Sequence, residues 1–170
     1  MDPFETSKKG KKFLLVVVDA FTKFTLIEPV KLTKVKPVVR TLQNMMCIFG
    51  VPTRMITDRG SAFISRTFKI FCETYAIRHV LNAVATPRSN GQCERYNKTI
   101  VSMLATTSVD AQGNLWDTHV KELQSALNTS FNKGINSTPI KALCGYQAKP
   151  MAEARLLNSL QDTVDRVDLK

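Results

Sequence analysis

Apolar residues along this chain change period from two to 3.6 and back, and the changes predict its elements. Residues 1–12 are polar and basic, with Lys8, Lys9, Lys11 and Lys12 around Gly10, and read as a hairpin loop or a solvated lead-in. Phe13 to Val18 is short, uninterrupted and rich in valine, the mark of a buried strand. A turn over 20–24 leads to a second predicted strand over 24–30, with Pro29 suggesting a sheet edge or a strand end. Thr33 is placed to cap a helix in which Val35, Val38, Val39, Leu42, Met45, Met46 and Phe49 share one face, and Gly50 and Pro52 end it. A short strand over 55–57 runs into Asp58-Arg59-Gly60. Ser65 then caps a helix with Phe68, Phe71, Cys72 and Tyr75 on one face, an apolar setting that predicts core packing for these rings and for Trp116. Strand character returns over 78–84, and 86–91 is a loop by its Pro, Ser, Asn and Gly content.

Helical spacing resumes over 92–107, through Tyr96, Ile100, Met103 and Leu104, and again through Trp116, Val120, Leu123 and Leu127. Ser137-Thr138-Pro139 opens a short helix that Gly145 closes, because a hydroxyl cap followed by proline in the first turn is a start signal. Leu156, Leu157, Leu160, Val164 and Val167 predict an amphipathic tail. Strands alternating with helices predict an α/β fold with a mixed sheet over 1–150, followed by a helical tail or linker over 151–170.

The composition suits such a domain: 170 residues, 44% hydrophobic and 22% charged. Whole-chain disorder is excluded by that balance. No apolar run approaches the roughly 18–20 residues of a membrane helix, so no membrane partner is expected. The run after the N-terminal lysines is too short for a signal peptide. A net charge of +10 favours a polyanionic partner, most simply nucleic acid. Cys47, Cys72, Cys93 and Cys144 form no C-x-x-C pair and the only histidines are His79 and His119, so neither zinc nor a disulfide framework is expected. Four buried or half-buried thiols fit a reducing, intracellular compartment, nuclear or cytoplasmic.

Two acids carry the candidate chemistry. Asp58 closes a strand, at the edge of an α/β sheet where ligands bind, although it could serve only to shape its turn. Glu94 opens a helix, where a carboxylate also complements the dipole. The 35 residues between them leave room for one helix, one strand and one loop, enough to return the chain to the same sheet edge. Converging carboxylates suit Mg²⁺ or Mn²⁺, and two such ions about 3.5–4 Å apart can serve the attacking and leaving oxygens of a phosphoryl transfer. A third acid is needed for such a site.

Three stretches resemble the integrase catalytic core of gypsy-type LTR retrotransposons and retroviruses. They are Leu15-Val-Val-Val-Asp-Ala-Phe-Thr-Lys-Phe24, Ile56-Thr-Asp-Arg-Gly-Ser-Ala-Phe63 and Ser89-Asn-Gly-Gln-Cys-Glu-Arg-Tyr-Asn-Lys98. The segment from Trp116 through Ala126-Leu-Asn-Thr-Ser130 to Gly145 is similar to the stretch C-terminal to that core in the same elements, so the resemblance covers about residues 3–150.

The resemblance implies a ribonuclease-H-like fold, its first strand expected to be truncated here, and a D,D,E site for two Mg²⁺ or Mn²⁺ ions. It makes Asp58 and Glu94 the second and third acids, with Asp2 nearest the place of the first, and it leaves Asp19 a turn carboxylate. It further implies trimming of a DNA 3′ end, joining of that hydroxyl to target DNA, and self-association into a homo-oligomer. Lys98, Asn90, Asn97, Arg59 and Arg88 become candidate DNA contacts, and Lys98 could equally pair with Glu94 across one helical turn. The alternative is a catalytically incomplete, integrase-derived fragment that binds nucleic acid, and the first acid decides between the two.

Overall fold

The computed structural model describes residues 4–82, 96–104, 115–150 and 153. The chain divides into two compact units, Met1–Val16 with Glu28–Asp117, and Val17–Ile27 with Thr118–Lys170. Strand β1, Phe13–Val18, pairs with β2, Thr25–Val30. The pair is antiparallel: Lys12 N–H donates to Val30 O at 3.1 Å at one end, and Asp19 N–H donates to Phe24 O at 2.9 Å at the turn.

In the first unit, residues 4–12 fold back as a hairpin, with Phe4 N–H on Lys12 O and Ser7 N–H on Lys11 O. Its tip exposes Lys8 and Lys9. Phe4 stacks on Trp116 at 4.8 Å between centroids, and Trp116 Nε1 donates to Glu5 O at 2.8 Å. Helix α1, Val35–Phe49, buries Val38 and Leu42. It starts at Lys34, whose side chain makes no cap, rather than on the Thr33 cap expected from sequence. Strand β3, Arg54–Thr57, and strand β4, Arg78–Leu81, run parallel, with Arg54 opposite Arg78 and Thr57 opposite Leu81. Parallel neighbours need a crossover, and α2, Arg66–Thr74, supplies it, packing on β4 and α1. Ser65 caps α2 by accepting from Phe68 N–H at 3.2 Å. Phe68, Phe71 and Cys72 are its buried face, and Phe63 meets Phe68 edge-on at 5.1 Å. Tyr75 departs from the expected core: it lies past the helix end, 38% exposed, with its ring 5.3 Å from Phe71. Helix α3 is described over 96–104 and buries Ile100 and Leu104.

In the second unit, α4 spans Trp116–Thr129, its first two residues belonging to the first unit, and buries Val120 and Leu123. Asn128 Oδ1 accepts from Thr25 N–H and its Nδ2 donates to Thr25 O, both at 2.8 Å. One turn back, Gln124 Oε1 accepts from Ile27 N–H at 2.9 Å. Helix α5, Pro139–Cys144, starts at the Thr138 cap and stops at Gly145, whose φ of 81° needs the left-handed region.

The α/β class stands, and both parallel and antiparallel pairing occur. Among the described residues the strands pair as two two-stranded sheets, β1 with β2 and β3 with β4. Cys47 and Cys144 are exposed and Cys72 is buried, so the expectation of uniformly sheltered thiols fails for the first two. Among the described residues, no helix is long and apolar enough to cross a membrane. The expected tail helix, Glu153 apart, lies outside the described residues.

Candidate active site

Strand β3 delivers Thr57 to the end of the parallel pair, where Asn82 N–H donates to Thr57 O at 3.0 Å as the last rung. Asp58 is the first residue beyond it. Its backbone carbonyl accepts from Thr57 Oγ1 at 3.0 Å, and its side-chain Oδ1 accepts from Gly60 N–H at 2.9 Å. Gly60 fits because a methyl group there would lie 3.0 Å from Asp58 Oδ1 and 3.5 Å from Phe63 Cδ2. Asp58 is exposed, and no described residue bonds its Oδ2. One carboxylate oxygen is thus fixed by backbone, and no described residue holds the other. A hard divalent cation can use that oxygen.

Thr57 Oγ1 lies 2.9 Å from His79 Nε2 on β4. Burial pushes the His79 pKa down, and the ring meets Phe68 edge-on at 5.0 Å. Arg59 Nε donates to Asn82 O at 3.2 Å, which ties the loop after β3 to the end of β4. Sequence reasoning made Arg59 a phosphate contact; the structure gives its Nε this bond within the unit. It passed over Thr57, His79 and Asn82, since their contacts join positions more than twenty residues apart.

Lys98 is exposed on α3 and Asn97 is half-buried on the same helix. Glu94, Asp2, Asn90 and Arg88 lie outside the described residues, so the convergence of Asp58 with Glu94 and Asp2 lies there too. Among the described residues, no three His, Cys, Asp or Glu side chains gather as a metal cluster. Asp19 is a turn carboxylate: its Oδ2 accepts from Thr22 N–H and from Thr22 Oγ1, both at 2.7 Å. Partial burial raises its pKa, but these two bonds, with Phe21 N–H and Lys23 behind them, outweigh burial and hold it below the usual carboxylate value.

Comparison with known proteins identifies a family and a fold for the chain. Residues 1–87 match the family model described as the integrase core domain. The chain is 29% identical over 143 residues to the Gag-Pol polyprotein of avian reticuloendotheliosis virus, covering 84% of this chain and 12% of that protein. It is 28% identical over 158 residues to the transposon Tf2-3 polyprotein of Schizosaccharomyces pombe, covering 92% of this chain and 12% of that one. The chain therefore spans about an eighth of the length of these polyproteins. In structure it superposes on the HTLV-2 integrase catalytic core domain in complex with magnesium, in its trimeric form, with a TM-score of 0.67 and 23% identity, covering 84% of this chain and 92% of that one. That likeness establishes a ribonuclease-H-like fold. With the family model matching more than half of its length, the chain belongs to the integrase core domain family.

Proposed function

We propose that this chain is the catalytic core of a retroelement integrase, trimming DNA 3′ ends and joining them to target DNA. The observation that carries the reading is Asp58: a carboxylate at the C-terminal end of a parallel strand, one oxygen held by Gly60 N–H and the other bonded by no described residue. Asp58 and Glu94 would hold Mg²⁺ or Mn²⁺, with Asp2 the chain's candidate for the first acid. Carboxylate oxygens are the donors those hard ions prefer, and the ions, when bound, would supply charge stabilisation at the transferring phosphate. The protein's own share is to fix the acids and to bind DNA. Exposed Lys98, with Asn97, Asn90, Arg59 and Arg88, would position the phosphate backbone, in keeping with a chain of net charge +10. Self-association is part of the same reading, since the HTLV-2 core takes a trimeric form.

The test is strand joining on element-end DNA with Mg²⁺ or Mn²⁺. Joining is expected from the wild-type chain and from neither Asp58→Asn nor Glu94→Gln. A folded variant of either kind that still joins ends refutes the site. If the wild type binds DNA yet joins nothing, and adding an upstream Asp-bearing strand restores joining, this chain by itself is the nucleic-acid-binding fragment.

A further inference from the structure

We propose that His79 is a positioning residue that sets the Asp58 carboxylate through the hydroxyl of Thr57; the role rests on Asp58 being a metal ligand. Asp58 is the first residue past the β3–β4 ladder, whose last rung is Asn82 N–H on Thr57 O, and no described backbone N–H bonds its carbonyl. Thr57 Oγ1 donates to that carbonyl at 3.0 Å. A hydroxyl has one proton, and this one is spent on Asp58 O, so Thr57 Oγ1 accepts from His79 Nε2–H at 2.9 Å. The imidazole is thereby held with its proton on Nε2. The chain His79 Nε2–H to Thr57 Oγ1–H to Asp58 O fixes the backbone of Asp58, and Gly60 N–H on Oδ1 fixes its side chain.

Each link is anchored. Thr57 is buried, and the His79 ring is held edge-on against Phe68, itself fully buried. His79 sits opposite Met55 in the parallel register, two positions before Leu81 faces Thr57, so the bond reaches diagonally across two adjacent strands. Groups of this kind, one step behind a metal ligand, orient it and commonly change metal affinity by about 10–100-fold when removed.

The experiment measures Mn²⁺ binding to the full chain by the electron paramagnetic resonance signal of free Mn²⁺, with Gly60 amide exchange followed by NMR as a metal-free readout. His79→Leu keeps bulk and loses the donor, whereas His79→Gln keeps an N–H near the Nε2 position. Thr57→Val cuts the same chain at its middle, as a second variant. We expect a loss of about tenfold in Mn²⁺ affinity with faster Gly60 exchange for His79→Leu and for Thr57→Val, and recovery of both in His79→Gln. A space-filling role predicts the opposite order, with Leu better tolerated than Gln. If Asp58→Asn abolishes Mn²⁺ binding while folded His79→Leu and Thr57→Val bind as the wild type does, the positioning role is overturned and the metal site stands. If Asp58→Asn binds Mn²⁺ no differently from the wild type, the metal reading falls and takes the proposal with it.

Discussion

Replacing Asn128 by alanine should cost this protein a large part of its stability. The Asn128 amide acts as a substitute peptide group, accepting from Thr25 N–H and donating to Thr25 O at 2.8 Å each. Thr25 is fully buried and Asn128 is 4% exposed, so neither bond can be replaced by bulk water without opening the unit. Alanine leaves two buried backbone groups unpaired, at about 1–3 kcal/mol each. Allowing for one water entering the vacated space, the loss is about 3 kcal/mol, against a total of about 5–15 kcal/mol for a folded domain. With a urea slope of about 2 kcal/mol/M, the midpoint should fall by about 1.5 M. Circular dichroism would measure that midpoint, and hydrogen exchange at Thr25 N–H would show whether the loss begins at the clamp. A midpoint within about 0.3 M of wild type at unchanged slope, with Thr25 still protected, would refute the reasoning, because 0.3 M is below the worth of one such bond.

Other substitutions read single features. Ser65→Ala removes the α2 cap and should cost about 1 kcal/mol, a drop of roughly 2–4 °C in Tm, while Ser65→Thr should restore it, because its hydroxyl can both accept from Phe68 N–H and donate to Ala62 O. Gly60→Ala, whose methyl would meet Asp58 Oδ1 at 3.0 Å, should displace that carboxylate and weaken Mn²⁺ binding while the melting temperature barely moves; unchanged Mn²⁺ affinity would show that the loop yields freely. The pKa of His79 is lowered by burial, so the unfolded chain binds its proton more readily than the folded one. Stability from this source is therefore present above the ordinary imidazole pKa of about 6.5 and is lost as pH falls through the lower folded value. Urea titrations from pH 7 downward should show the decline, and His79→Gln should flatten it.

What could be read from the sequence was what neighbours in the chain decide. The caps at Ser65 and Thr138, the stop at Gly145 and the buried faces of α2 and α4 arise from residues three or four apart, and they are present, with Tyr75 the member of the α2 face that falls outside and Leu127 of the α4 face only half-buried. Asp58 was legible as a strand-ending acid because the short strand and the Asp-Arg-Gly turn are contiguous. Tertiary bonds were not legible. Nothing near Asn128 signals that it will clamp a strand 103 positions away, and nothing near His79 signals that it will reach Thr57 across a parallel pair joined by α2. The start of α1 at Lys34 rather than Thr33 is a smaller miss of the same kind, since several polar residues in a row offer equivalent starts. Which strands pair could not be read from strand count, because pairing depends on which edges meet.

The anchoring of the N-terminal hairpin has an experimental use. The chain has a single tryptophan, and it is the residue on which Phe4 stacks and which donates to Glu5 O. Its emission therefore reports one attachment without labels. Release of the hairpin would uncover the indole and shift its emission to the red, so a fluorimeter can watch whether adding DNA leaves the lysine-tipped flap docked or lifts it.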